Sequence, residues 1–149
     1  MKQISLVSAI VAGVFLFQLS SCKKEDSKSN TTCGGAKCTY TLQTGETAGT
    51  TPASIVGKHT LTYDEITAGG PFKAGDHAVF ELTSDNKLVV TFNNDCITLE
   101  NPVQTSPAEV SFNDNCKHQV RFAASKTQSG SLNEINISSL TGTFYGQFK

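Results

Sequence analysis

From Thr39 to Phe148 the chain is a succession of short runs in which apolar and polar residues alternate, and that period of two restricts the fold more than any other feature. The runs cover 39–43, 59–63, 77–82, 87–92, 96–100, 109–112, 119–123, 133–138 and 143–148. Alternation over four to eight residues marks a strand with one buried face, and several such runs parted by turns mark an all-β sandwich or barrel. The turns are explicit: Ser84-Asp85-Asn86, Asn93-Asn94-Asp95, Asn113-Asp114-Asn115 and Ser129-Gly130. Asparagine and aspartate tolerate left-handed backbone and bond their own main chain, so they collect where a chain reverses. Close spacing then pairs neighbours as antiparallel hairpins. The expectation is a small antiparallel β-barrel or sandwich of eight to nine strands in a meander. No segment after the leader repeats its apolar residues at a helical period over three turns.

Parity assigns the faces. Ala78, Phe80 and Leu82 share one side of their strand, as do Leu88, Val90 and Phe92 of the next. With Val110, Phe112, Val120, Phe122, Ile135 and Ile137 they form the expected core, while Val79, Glu81, Arg121, Glu134 and Asn136 face outward. One short unit recurs: Val90-Thr91-Phe92-Asn93-Asn94-Asp95-Cys96 is echoed by Val110-Ser111-Phe112-Asn113-Asp114-Asn115-Cys116. Each is a strand, an Asx-rich turn and a cysteine, and a meander brings both turns to one end of the sheet.

The N-terminus is a leader of another kind. Met1-Lys2-Gln3 is followed by an apolar stretch from Ile4 to Leu19, then Ser20, Ser21 and Cys22. A basic start, an apolar middle and small residues at the end make a secretory signal peptide. The stretch falls short of the ~20 residues a spanning helix needs and is broken at Gly13. Leu19-Ser20-Ser21-Cys22 resembles the lipobox of bacterial lipoproteins. The resemblance implies that Cys22 is acylated and becomes the first mature residue. Lys23-Lys24-Glu25-Asp26 resembles the export signal of Bacteroidota surface lipoproteins, which implies an outer-membrane, lipid-anchored protein, surface-exposed or on the periplasmic face. Two or three acyl chains on Cys22 would hold it firmly, since one chain binds only marginally. The expected organisation is a signal peptide over 1–21, a lipidated tether with a cysteine pair over 22–38, and a β-domain over 39–149. Residues 23–32 contain no apolar side chain and have nothing to bury.

Taking 21 residues from 149 leaves 128, with 11 basic and 13 acidic residues once Lys2 is gone, a net charge of −2. That balance, with no basic patch, argues against nucleic acid as a partner. Export reads Cys33, Cys38, Cys96 and Cys116 as two disulfides. Of the three possible pairings, the flexible Gly34-Gly35-Ala36-Lys37 favours Cys33 with Cys38, leaving Cys96 for Cys116. Against this, a strand between the latter two would part them by roughly 9–10 Å, beyond the ~7 Å between Cα atoms a disulfide spans. A four-cysteine zinc site is the rival, but 19 residues separate Cys96 from Cys116, whereas zinc ligands come as close pairs.

Chemistry is sparsely marked. Asn93, Asp95, Asp114 and Asn115 offer oxygens at one rim, but calcium wants six to eight, several of them charged, and turn chemistry accounts for these residues. No metal or cofactor is expected. By parity His59 and His118 point inward, near strand starts, and are candidate ligand-binding residues together with Phe72; nothing in the sequence supplies either histidine with an orienting group. Phe72 sits in the glycine-rich segment 68–76, an expected exposed aromatic anchor on a wide loop. No serine lies in a Gly-x-Ser-x-Gly elbow, and no tryptophan offers a sugar platform. Ile55-Val56-Gly57-Lys58-His59-Thr60-Leu61 resembles the opening of bacterial lipocalin-like domains, with His59 where that family has tryptophan. This resemblance implies a closed barrel with an apolar cavity.

The leading expectation is an envelope lipoprotein whose β-domain binds a ligand: a glycan, a small apolar molecule or another envelope protein. An envelope structural or inhibitor module acting by protein contacts comes second, and a secreted hydrolase third. A deep apolar pocket beside His59 or His118 favours the first, a flat apolar patch the second, and clustered titratable groups in a cleft the third.

Overall fold

The computed structural model describes residues 34–149. The expected signal peptide over 1–21, Cys22 and Cys33 lie outside the described residues. The fold is all-β. Its strands are β1 (Ala36–Thr39), β2 (Gly57–Thr67), β3 (His77–Leu82), β4 (Lys87–Phe92), β5 (Asp95–Glu100), β6 (Val103–Ser106), β7 (Glu109–Asp114), β8 (Val120–Lys126), β9 (Leu132–Ser139) and β10 (Tyr145–Phe148). Ten strands thus replace the expected eight to nine. The short run Val103–Ser106 was not expected, because it has only one apolar residue and follows a proline. The first strand also lies earlier than 39–43, so residues 36–38 belong to the sheet rather than to a tether.

The sheet order is β1-β5-β4-β3-β2-β10-β9-β8-β7-β6, and the sheet curls into a half-barrel. From β2 to β5 and again from β6 to β10 each strand pairs antiparallel with the next, and β10 returns to pair with β2. The meander is broken only between β5 and β6, where Asn101 turns the chain with φ 59°. Asparagine is among the few side chains that tolerate that left-handed region. β1 departs from the antiparallel scheme and adds to β5 in parallel, with Cys38 opposite Leu99.

Two devices bend the sheet around its core. β2 pairs with β3 as far as Thr62 and with β10 from Tyr63 onward. At that change of partner the Tyr63 ring lies against Gly146, where an added Cβ would sit 2.2 Å from the phenol oxygen. Only glycine leaves that space.

Alternation delivers most of the expected core, but Phe92 is only partly buried, and Val89, Thr98, Ser111 and Asn113 are buried on the opposite parity. Phe80, Leu82, Leu88, Val90, Val110, Phe112, Val120, Phe122, Ile135 and Ile137 are buried, and the outward partners Val79, Glu81, Arg121, Glu134 and Asn136 are half-buried. Aromatic rings run through the interior as a connected series: Phe92 to Phe72 at 4.9 Å, Phe72 to Phe148 at 5.0 Å, Phe148 to Phe80 at 4.8 Å, and Phe80 to Phe122 at 6.0 Å. Edge-on pairs at such separations add about 0.5–1.5 kcal/mol each beyond area burial.

Phe72 therefore corrects the expectation of an exposed anchor. It is only 6% exposed, because the loop between β2 and β3 folds across one end of the half-barrel and uses the ring as a plug.

The disulfides also differ from the favoured pairing. Cys38 bonds Cys116, with 5.9 Å between Cα atoms, and Cys96 is disulfide-bonded as well. The reason is β1: lying beside β5 with Cys38 turned into the core, it meets the β7–β8 turn across the open side of the curl.

Candidate functional site

The β4–β5 turn, the β7–β8 turn and the β2–β3 loop all fall at one end of the half-barrel, as the repeated unit implied. Between them opens a pocket of about 200 Å³ lined by Pro71, Phe72, Val90, Phe92, Ile97 and Phe122, with Asp95, Cys96, Lys117 and His118. Each apolar wall has an origin in the pattern. Val90, Phe92, Ile97 and Phe122 hold inward parity on β4, β5 and β8, and Phe72 arrives from the loop.

The polar border is built by Asp114. Its carboxylate is fully buried, and burying an unpaired charge is very costly. Four donors offset that cost. Oδ1 accepts the N–H groups of Cys116 (3.1 Å) and Lys117 (2.8 Å), and Oδ2 accepts the N–H of His118 (3.1 Å) and its ring Nδ1–H (2.9 Å). An ionised carboxylate only accepts, so the proton of this contact belongs to Nδ1. The turn that carries Lys117 and His118 is thus moulded on one side chain. Lys117 in turn forms an ion pair with Asp95 across the pocket mouth.

Of the residues singled out from sequence, Phe72 and His118 meet in this pocket. His118 sits in the turn before β8 rather than on a strand, with its side chain 37% exposed. Asp114 gives it the orienting partner that sequence reading did not find; the four-residue separation across an Asx-rich turn was the available signal. His59 is elsewhere. It lies toward the other end of the sheet, where Nε2 contacts the Ile55 carbonyl oxygen at 3.0 Å. Asp95 and Asp114, two of the four candidate calcium ligands, are drawn into the ion pair and the turn. Among the described residues no three His, Cys, Asp or Glu side chains gather as a metal site.

The opposite end carries a wider polar groove of about 340 Å³, lined by Leu42, Ala48, Gly49, Asp85, Asn86, Lys87, Glu100, Asn101 and Pro102. Burial pushes the Glu100 carboxyl up, but the Lys37 ammonium at 3.0 Å, the Thr39 hydroxyl at 3.2 Å and Lys87 at 3.5 Å outweigh it and hold the group below its ordinary value. Asp85 is likewise held low, chiefly by its contact with Lys87 at 2.8 Å.

Chemically, the pocket offers an apolar body site with one acidic and two basic groups at its border. His118 with Asp114 has the form of an oriented base. Among the described residues no hydroxyl lines the pocket, and Cys96 is bridged.

No family model, no curated protein and no solved structure matches this chain.

Proposed function

We propose that this chain is a cell-envelope lipoprotein, held to the outer membrane by acyl chains on Cys22, whose half-barrel binds a small ligand of largely apolar body without transforming it. The observation that carries the binding role is the pocket of about 200 Å³ with aromatic and aliphatic walls and a polar border on one side. Concave, mostly apolar sites with a few placed polar groups are the usual form of a small-molecule site, though drug-sized ligands take ~300–1,000 Å³. This one suits a smaller guest.

Two measurements test the reading. Cys22→Ser should move the chain from the membrane fraction to the soluble fraction; continued membrane attachment refutes the anchor. Val90→Phe should fill the pocket while keeping the melting transition cooperative. Small apolar molecules that give ligand-observed NMR signals with the parent chain should then lose them. Unchanged signals would place binding elsewhere.

A further inference from the structure

The border of the pocket narrows the guest further, given that the pocket is the binding site. An engineered cavity of ~150 Å³ with apolar walls takes up benzene, so about 200 Å³ admits one aromatic ring or a short branched chain and little more. The walls impose no polar demand on that body. What faces the guest at the mouth is one weakly held ion pair. Asp114 is saturated by four internal donors and shut away from solvent. His118 is engaged by Asp114, so the pair left at the opening is Lys117 with Asp95, of which Lys117 is the less exposed. The Lys117–Asp95 pair has side chains 36% and 58% exposed, and pairs so open to water contribute little. Asp95 is thus a weakly held partner, sitting where a guest's acidic group would sit.

We propose that the guest is a monocarboxylate with one aromatic ring or a short branched chain, and that its carboxylate takes Lys117 over from Asp95. The apolar body lies between Phe72, Phe92 and Phe122. The exchange swaps one exposed ion pair for another that is partly covered by the guest and leaves the Asp95 carboxylate to water. No bond is made or broken.

The test uses the full chain in bilayer nanodiscs, with empty nanodiscs subtracted, titrated calorimetrically with three probes of matched shape: phenylacetate, phenylacetamide and 2-phenylethylamine. Phenylacetate should bind tightest. Lys117→Met should weaken it by about tenfold, as expected for loss of one charge-assisted contact. Asp95→Asn should strengthen it several-fold by removing the competitor, a gain that misfolding does not produce. Equal binding of the amide, preference for the amine, or weaker binding in Asp95→Asn overturns the proposal. If all three probes fail while other apolar molecules still bind in a Val90→Phe-sensitive way, the carboxylate assignment falls and the pocket reading stands. If nothing binds, both fall.

Discussion

The two ends of the half-barrel solve the same closure problem by different means. At the pocket end the β7–β8 turn is tied covalently to β1 by Cys38–Cys116 and moulded on the buried Asp114. At the other end the segment from Tyr40 to Thr51 is strapped across the sheet by main-chain bonds, Gly49 to Pro102 and Gln104 to Thr47, beside ion pairs that link Lys37, Glu100, Lys87 and Asp85. The covalently held end can leave apolar surface open, because its shape does not depend on filling that space. The strapped end has a polar groove, whose walls stay soluble when exposed. Covalent closure and an open apolar cavity go together here.

The largest test of that contrast is to cut the staple. Replacing Cys38 and Cys116 together by alanine removes a link across 78 residues and should lower unfolding stability by about 4 kcal/mol on the chain-entropy account, measured by denaturant titration. A loss under about 1 kcal/mol would mean that packing alone holds the pocket end.

The ion pairs of the other end should weigh less and should respond to acid. Because the folded Glu100 group lies below its ordinary value of 4.5, its contribution is complete above that pH and disappears as pH falls through the folded value. Glu100→Gln should cost about 1 kcal/mol at neutral pH and flatten the acid limb of the stability curve below pH 4.5. An unchanged limb would show that Glu100 is not its source.

The smallest expected effect is a gain. Tyr63 is buried beneath the pocket loop and its hydroxyl finds no partner among the described residues. Burial, with Glu65 and Asp64 adding to it, raises its phenol above 10.0. The folded phenol keeps its proton while the unfolded one loses it, so stability is intact below pH 10 and falls as pH rises toward the folded value. Tyr63→Phe should raise stability by up to about 1 kcal/mol and remove that alkaline decline. A loss instead would reveal a partner for the hydroxyl.

Sequence legibility divides along the same lines. Where a strand buries one face, alternation marked it: β3 and β4 occupy 77–82 and 87–92 as expected, and most core residues follow parity, Val89 and Thr98 being buried on the other side. β6 was invisible because its Val103-Gln104-Thr105-Ser106 has too few apolar residues to show a period. β1 was misplaced because its order depends on docking beside β5, a contact with a strand sixty residues away. Phe72 was misjudged for a similar reason. Glycines and a proline around it signal a loop, but only the curl of the sheet creates the vacancy that the ring fills. Pocket membership of Lys117 and Asp95 was half legible, since the repeated turn units placed them at one rim without revealing that their charges meet.

The parallel β1 with its early disulfide has a mechanical consequence. β1 is hydrogen-bonded to β5 alone in the sheet, and Cys38 ties it covalently to Cys116 in the β7–β8 turn. A pull on β1 is therefore shared between the β5 edge of the sheet and that turn, and β1 cannot be peeled away from the domain while the bond is intact.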